Sequence, residues 1–359
     1  LPISKGEIMN NFKKIGLTAL AGSLAAVSAN AVELSVSGET TVSYISNTAA
    51  KVDTIGGSSI GTSTGITFSG SGELENGWTV SSSNILNDGD ANALSSSQLN
   101  LTMGSMGTIT FAKAAGTNVN AIDDVTPKVA EEAFDGAGGS VLQGIGVTIA
   151  KGAVAYKSPS FDLMGVSASF GVDYDPAAGA DGNDHDAIAT KTATQGSGHG
   201  FTVKLSHDSG LTVGAGQENI SSNSGNDAEA ENVTAYALYT MGPVSVGYQG
   251  YYLNKGSAPT AGDTSPGADY SGDSIGIAFN VNDQVSIGYQ KISETQEANA
   301  AGTSSVLASD RDIKSLSAAY SSGGMTMSIQ QTDTDNYSFA AAGSELDTET
   351  VQVTLSFAF

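Results

Sequence analysis

The chain has 359 residues, with 37 acidic against 14 basic side chains and a formal net charge of −23 at pH 7. Phosphate backbones repel so acidic a chain, which argues against nucleic acid as a partner. The sequence contains no cysteine, which excludes disulfides, thiol nucleophiles and thiolate metal sites.

The N-terminal segment is typical of a secretory signal peptide. Two lysines precede a short apolar run over 15–27, and an Ala-x-Ala sequence ends at Ala31. Basic, apolar and small-residue regions in this order mark a signal for export, and the run is too short for a comfortable membrane helix. We therefore expect residues 9–31 to be a signal peptide cleaved after Ala31, and residues 1–8 to be an upstream non-native extension. A buried core helix is the alternative.

Sixteen segments with apolar residues at every second position follow. A period of two predicts strands with one apolar and one polar face. Most of the segments are near the length of roughly 9–11 residues that a tilted strand needs to cross a bilayer. The segments are Glu33–Ser46, Ser58–Leu74, Gly77–Leu86, Ser95–Ser105, Gly107–Ala114, Gly152–Asp162, Met164–Asp173, Gly200–His207, Leu211–Asn219, Asn232–Met241, Pro243–Leu253, Asp273–Val281, Gln284–Thr295, Ile313–Ser321, Met325–Thr334 and Glu349–Phe359.

The connections alternate between short turns rich in Asn, Asp and Gly and longer acidic or Gly/Ser-rich stretches. Tight hairpin turns favour these residues because they tolerate positive φ. The pattern predicts an all-β fold, a transmembrane antiparallel up-and-down β-barrel of about sixteen strands with long outer loops and short periplasmic turns. Fourteen or eighteen strands are alternative counts. A β-sandwich or a β-solenoid is the alternative fold, although the sequence shows no fixed-period repeat.

The last predicted strand has a strictly alternating pattern. Its apolar positions are Val351, Val353, Leu355, Phe357 and Phe359, and the residues between them are small or polar. In a transmembrane barrel such a strand turns its apolar face to lipid, and the first strand supplies its hydrogen-bonding partner. We therefore expect the two ends of the barrel domain to pair.

The signal over Met9–Ala31, the first strand beginning at Val32–Glu39 and the terminal Val353–Phe359 segment together resemble the general porins of Gram-negative bacteria. The resemblance implies one sixteen-stranded barrel domain over 32–359, a homotrimer, and a multi-pass location in the cell outer membrane among lipid and lipopolysaccharide. It implies a water-filled pore for ions and small hydrophilic solutes, which works without a cofactor. It also implies that the barrel assembly machinery reads Phe359 as a membrane assembly signal.

The third long connection, 115–151, is the longest and follows the fifth predicted strand, where the resemblance places an inward-folded constriction loop. Carboxylates gathered in a narrow, low-dielectric constriction favour cations and repel anions. Ordinary solvated loop charges are the alternative. The acidic residues of this connection are Asp123, Asp124, Glu131, Glu132 and Asp135.

The chain departs from the resemblance in its basic residues. General porins usually carry an arginine cluster facing the loop, whereas this chain has one arginine, Arg311, in or beside a predicted outer loop. Strand alternation points Lys157 and Lys204 inward. They are candidates for a basic pore wall opposite the acidic loop, but two lysines are few. We therefore expect a preference for cations.

Other chemistry is weakly indicated. Asp181, Asp184 and Asp186 give a loop hard oxygen ligands for a weak calcium site, without the bidentate glutamate of an EF-hand. No Ser/His/Asp arrangement has the structural context of a hydrolase, so we do not expect an enzyme. The leading hypothesis is a passive porin. The alternatives are a substrate-selective outer-membrane channel and a non-conducting surface structural or adhesive β-protein.

Overall fold

The structure is a computed structural model. The expected signal peptide over 9–31 and the extension over 1–8 lie outside the part of the chain that it describes. It describes residues 33–49, 57–88, 94–113, 115–131, 133, 145, 152–178, 196–221, 229–254, 269–297, 309–337, 339 and 347–359.

The described residues form seventeen strand segments in a single antiparallel sheet. The segments are β1 (Glu33–Ala49), β2 (Gly57–Glu73), β3 (Thr79–Asn87), β4 (Leu94–Thr102), β5 (Thr108–Lys113), β6 (Ala153–Lys157), β7 (Phe161–Leu163), β8 (Val166–Asp175), β9 (Gly198–His207), β10 (Leu211–Ile220), β11 (Ala230–Met241), β12 (Val244–Asn254), β13 (Asp269–Asn280), β14 (Val285–Gln296), β15 (Ser309–Ser322), β16 (Met325–Asp335) and β17 (Thr348–Ala358). Two 3-10 turns, Gly104–Met106 and Asn120–Ile122, complete the described secondary structure.

β6 and β7 are two pieces of one strand, because both pair with β8. The sequence pattern predicts one strand over Gly152–Asp162, and the structure interrupts it at Pro159. Proline has no N–H to give to the ladder. Ser158 bridges part of the gap, since its N–H donates to Phe170 O and its Oγ accepts from Phe170 N, both at 2.9 Å. With β6 and β7 counted as one, the described strands therefore form a sixteen-stranded barrel.

The sheet closes on itself through β1 and β17. Each strand pairs with its neighbours in sequence, and β1 pairs with β17 in a register that runs from Glu39↔Ala358 to Ala49↔Thr348. Phe359 extends this ladder, because its N–H donates to Gly38 O at 2.9 Å and its carbonyl accepts from Gly38 N at 2.7 Å. Closure removes both sheet edges, so the fold is a barrel and not a sandwich or a solenoid.

The two faces of the barrel differ in character. Outward positions carry exposed large apolar side chains around the wall, such as Leu34, Phe170, Leu205, Ile275 and Ile329. Soluble proteins rarely expose so much apolar surface, whereas the outer face of a membrane barrel is apolar because it contacts lipid. Inward positions are mostly polar. Alternation in the sequence predicts these faces correctly, because the strands are regular over most of their length.

All sixteen predicted segments are present as strands, the sixth in two pieces, and their ends differ from the prediction by at most four residues. The short turns also lie where the Asn, Asp and Gly clusters predict them. In the turn before β8, Met164 and Gly165 both have positive φ, 58° and 88°, as a type I′ hairpin requires. Within the described ranges, no helix is long and apolar enough to cross a membrane.

Candidate functional site

The third long connection begins by entering the barrel interior, where Asp173 on β8 holds it. The side chain of Asp173 is 1% exposed. Its Oδ1 accepts the backbone N–H of Asn118 at 3.0 Å and the Asn118 amide at 2.7 Å, and its Oδ2 accepts the N–H of Val119 at 2.9 Å. The Asn118 amide also donates to Tyr156 O at 3.0 Å. Charge-assisted bonds of this kind are among the strong ones.

Gln249 on β12 is the second anchor. Its side chain is fully buried, and its Oε1 accepts the N–H of Val125 at 2.9 Å. Its Nε2 donates to Ile122 O at 2.8 Å and to Thr234 Oγ1 at 2.9 Å. A single side chain thus satisfies both a donor and an acceptor of a segment that has no ladder of its own, as buried backbone requires.

The segment then continues along the inner wall towards the end of the barrel sequence. Gln290 on β14 donates to Thr126 Oγ1 at 3.0 Å and accepts the N–H of Ala133 at 2.8 Å. Gln330 on β16 donates to Glu131 O at 3.1 Å. Residues 115–131 and Ala133 of the connection are called the inner segment below. It follows the wall from β6 to β16 and lies within the lumen.

A track of inward glycines gives the inner segment its place on the wall. A Cβ added at any of six glycines would lie closer than 3.0 Å to a residue of the segment. Glycine allows a neighbouring backbone to approach closely because it has no side chain. The glycines, one on each of β8, β9, β10, β12, β13 and β14, are Gly171, Gly200, Gly216, Gly247, Gly276 and Gly288.

Apolar contacts inside the barrel support the same connection. One buried cluster contains Val119 and Ile145 of the connection against wall residues such as Ile220. A second contains Ala133 against wall residues that include Leu253 and Ile292. Such clusters are unusual in a polar lumen, and they bury the apolar residues of the segment away from water.

The predicted acids have different surroundings. Asp123 accepts the N–H of Asp124 at 2.8 Å and is partly buried. Asp124 Oδ2 lies 3.2 Å from Lys128 Nζ, so a cation compensates its charge locally. Glu131 is exposed. Glu132 and Asp135 lie outside the described residues. Asp123 and Asp124 therefore share one turn of the inner segment, and Asp124 has the closer counter-charge.

The cation preference predicted from the sequence is expected to weaken on acidification, at a pH above that at which an ordinary aspartate takes up its proton. Burial is the largest influence on Asp123 and raises its pKa above 3.8, while the N–H of Asp124 opposes the rise. A carboxyl whose pKa is raised takes up its proton at a higher pH than a solvated one. Reversal potentials measured under a salt gradient from pH 7 down to pH 4 test this. Asp123→Asn should remove the part of the pH dependence that Asp123 carries, and an unchanged pH profile would contradict the assignment.

The structure places Lys157 on β6 and Lys204 on β9, both inward and both lining one cavity with Asn118, Ile122 and Val125. They therefore lie beside the start of the inner segment. Their role as a basic pore wall stays a prediction. Alternation gives the direction of a side chain but not the part of the wall on which the connection lies.

Arg311, the single arginine of the chain, lies in β15, and its side chain is buried on the inner face of the strand. It is 5% exposed and forms an ion pair with Glu294 on β14. Its guanidinium donates to Tyr337 O at 3.2 Å and lies 4.4 Å from the centre of the Phe339 ring. The charge of Arg311 is therefore compensated by Glu294 within the wall.

Six neighbouring strands of the described sheet have no cationic side chain. β1–β4, β16 and β17 contain neither lysine nor arginine. Their inward positions carry mainly hydroxyl and amide groups, such as Thr41 and Ser356, whose hydroxyl oxygens lie 2.8 Å apart, and Asn100, which accepts from Thr110 of β5. The lumen side of these strands thus carries hydroxyl and amide groups and the carboxylate of Glu39, which accepts from Thr41 Oγ1 at 3.1 Å, but no basic group.

The predicted calcium loop with Asp181, Asp184 and Asp186 lies outside the described residues. Where the chain is described, no group of three or more His, Asp or Glu side chains is arranged to hold a metal ion. The calcium site stays a prediction.

The glycine track and its partner glutamines were missed from sequence. Two features of the sequence indicate them. Glycine recurs at inward positions of successive strands, and Gln249, Gln290 and Gln330 lie at inward positions away from the turns. Individually these residues are ordinary in a barrel lumen. Their role depends on where a segment more than 100 residues away in sequence lies.

Sequence and structure comparisons agree with this architecture. The sequence profile of the family described as Gram-negative porin matches residues 16–307. No curated protein sequence matches the chain.

Several solved structures share the fold at low sequence identity. OmpF of Salmonella typhi, solved with daunomycin, gives a TM-score of 0.65 at 15% identity, over 91% of this chain and 98% of that one. The trimer form of OmpT, an outer-membrane protein of Vibrio cholerae, gives 0.62 at 12% identity, over 92% and 100%. The anion-selective porin from Comamonas acidovorans gives 0.58 at 15% identity, over 92% and 100%.

Proposed function

Because this chain belongs to the family of Gram-negative porins, we propose that it is a cation-preferring diffusion channel whose selectivity comes from the carboxylates of the inner segment. The family and the closed barrel make it a multi-pass outer-membrane protein and a passive channel. The observation that supports the proposed preference is the inner segment itself. It carries Asp123 and Asp124 into the lumen, and the wall of β1–β4 has no lysine or arginine.

The mechanism is passage through a narrowed, water-filled lumen with electrostatic selection at its inner segment. A fixed carboxylate beside the path lowers the energy of a cation and raises that of an anion. The inner segment is held by buried hydrogen bonds at Asp173 and Gln249, so its charges stay in place as solutes pass. The process needs neither an energy source nor a cofactor, and we propose no enzymatic activity.

The assembly proposed for this chain is a homotrimer in contact with outer-membrane lipid and lipopolysaccharide. One of the structural neighbours is a trimer form. We also propose that Phe359 is part of the signal for the barrel assembly machinery. The Phe359 side chain is 70% exposed on the outer face at the end of β17, where another protein can reach it during assembly.

Asp123→Asn is expected to reduce the cation preference more than Asp124→Asn. Removing one charge about 4 Å from an ion's path changes its energy by about 1 kcal/mol in a water-like medium, or about fivefold in a permeability ratio. The counter-charge of Lys128 at 3.2 Å already offsets most of the effect of Asp124. Reversal potentials in a potassium chloride gradient across a planar bilayer measure this ratio.

Lys128→Gln is the matched control for this pair, because it removes the counter-charge and should strengthen the cation preference. An equal, negligible shift in both aspartate variants would place the selectivity elsewhere. Absence of any conductance from a folded barrel would favour the structural or adhesive alternative. Heat-modifiable migration on a gel shows that each variant is folded.

A further inference from the structure

We propose that Lys157 and Lys204 form a binding site for small carboxylate solutes that carry a short hydrocarbon part. The inference rests on the proposed function, since it names a solute class for the same channel. The site is the cavity of about 180 Å³ between the inner segment and the wall. That space accommodates a small organic ion or several water molecules.

The two lysines are brought together by the register of β8. Lys157 on β6 is opposite Gly171, and Lys204 on β9 is opposite Ser169. Gly171 and Ser169 are successive inward residues of the same strand, so the two ammonium groups flank one short stretch of wall. Neither lysine forms an ion pair with another described residue.

The inward acid of β8 is already engaged by the inner segment. Asp173, two residues beyond Gly171, uses both oxygens to accept three N–H groups from Asn118 and Val119. Two cations without local partners in a partly enclosed lumen attract an anion more strongly than they would in bulk water. Lysine binds such an anion as a point charge, so a carboxylate needs no fixed orientation.

The remaining lining selects among anions. Ser169, Thr202 and Thr212 provide hydroxyl groups, whereas Ile122, Val125 and Leu238 provide an apolar side. A fully hydrated inorganic anion gains nothing from the apolar side, but a short hydrocarbon chain does. The chemistry therefore favours an organic carboxylate over chloride or inorganic phosphate.

The position of the site fits a channel whose loop acids repel anions. Lys204 lies three residues before the end of β9 at a short turn, and short turns lie on the periplasmic side of such barrels. The lysines line the same cavity as Ile122 and Val125, so an anionic solute that reaches this part of the inner segment lies near both ammonium groups. The lysine pair thus partly offsets the repulsion by Asp123 and Asp124.

The test compares single-channel conductance in potassium propionate, potassium acetate, potassium phosphate and potassium chloride over a wide range of concentration. A binding site makes conductance saturate. In the wild type we expect the conductance to saturate at the lowest salt concentration for propionate and to rise almost linearly with concentration for chloride. In the double variant Lys157→Gln/Lys204→Gln, the propionate concentration that gives half-maximal conductance should be at least fivefold higher. Lys314→Gln is the control, since Lys314 lies on the outer face and pairs with Asp335 at 3.2 Å.

Three results would overturn the inference. They are a linear response to propionate in the wild type, an unchanged half-saturation in the double variant, and tighter saturation by phosphate than by propionate. A channel that conducts chloride but shows one of these results contradicts the site and leaves the channel function standing. If the barrel does not conduct at all, the channel function fails. Saturation-transfer NMR of propionate with the detergent-solubilised barrel then decides whether the site binds.

Discussion

Replacing Gly276 with alanine is expected to displace the inner segment and raise the single-channel conductance. A Cβ at this position would lie closer than 3.0 Å to backbone atoms of Pro127. Backbone atoms cannot swing aside as a flexible side chain can, and overpacking of this kind costs about 1–3 kcal/mol. Moving the segment away from β13 relieves the clash but breaks the 2.9 Å hydrogen bond between the hydroxyl groups of Thr126 and Ser274.

The displacement should open the lumen. The inner segment occupies the space beside β12–β14, so its movement enlarges the open cross-section, and we expect a roughly twofold increase in conductance for a wide water-filled pore. The measurement is single-channel current in a planar bilayer with potassium chloride. Cation preference should fall in the same recordings, because the carboxylates move with the segment.

Gly65→Ala is the matched control for Gly276→Ala. Gly65 is also an inward glycine of a regular strand, but the nearest atom to its added Cβ is Leu86 O at 3.8 Å, an ordinary contact. The same chemical change should leave the conductance unaltered there. If both variants behave alike, or if Gly276→Ala conducts as the wild type does, the glycine track does not position the segment.

Asp173→Ala is expected to release the start of the inner segment. The substitution leaves three N–H groups of Asn118 and Val119 without their acceptor in a buried place. Each unsatisfied donor costs about 1–3 kcal/mol, so a loss of about 3 kcal/mol or more from the local stability is expected. The strands should stay intact, because a closed barrel does not depend on one lumen contact.

Hydrogen exchange followed by mass spectrometry measures this release directly. Peptides covering 115–131 should exchange much faster in Asp173→Ala, while strand peptides keep their protection. Channel recordings should become noisier as the segment moves. The control is Asp333→Ala, at an exposed outward position of β16, which should change neither reading. Unchanged exchange over 115–131 would show that other contacts, such as those of Gln249, suffice to hold the segment.

The strands were predictable from sequence because their signal is local. Alternation between lipid-facing and lumen-facing residues recurs within each segment, and turn residues such as those at Asp208–Gly210 separate the segments. The break at Pro159 is the exception. There the outward positions change from even numbers, as at Val154, to an odd number at Phe161, so the alternation shifts by one residue where the missing proline N–H interrupts the ladder.

The site was predictable in part. The inward direction of Lys157 and Lys204 follows from alternation, and the structure agrees with it. The path of the inner segment does not follow from any local pattern. It depends on contacts between residues far apart in sequence, such as Asn118 with Asp173 and Val125 with Gln249. The sequence therefore could not tell that the lysines lie beside the segment, nor that Lys128 compensates Asp124.

The central claim, a cation-preferring channel, is tested most directly by the reversal potential of the unmodified barrel in a planar bilayer under a potassium chloride gradient. The proposal predicts discrete conductance steps and a reversal potential of the sign that potassium selectivity gives, because the lumen combines Asp123 with a wall of β1–β4 free of lysine and arginine. A reversal potential of the opposite sign would show that Lys157 and Lys204 outweigh the carboxylates and would contradict the claim.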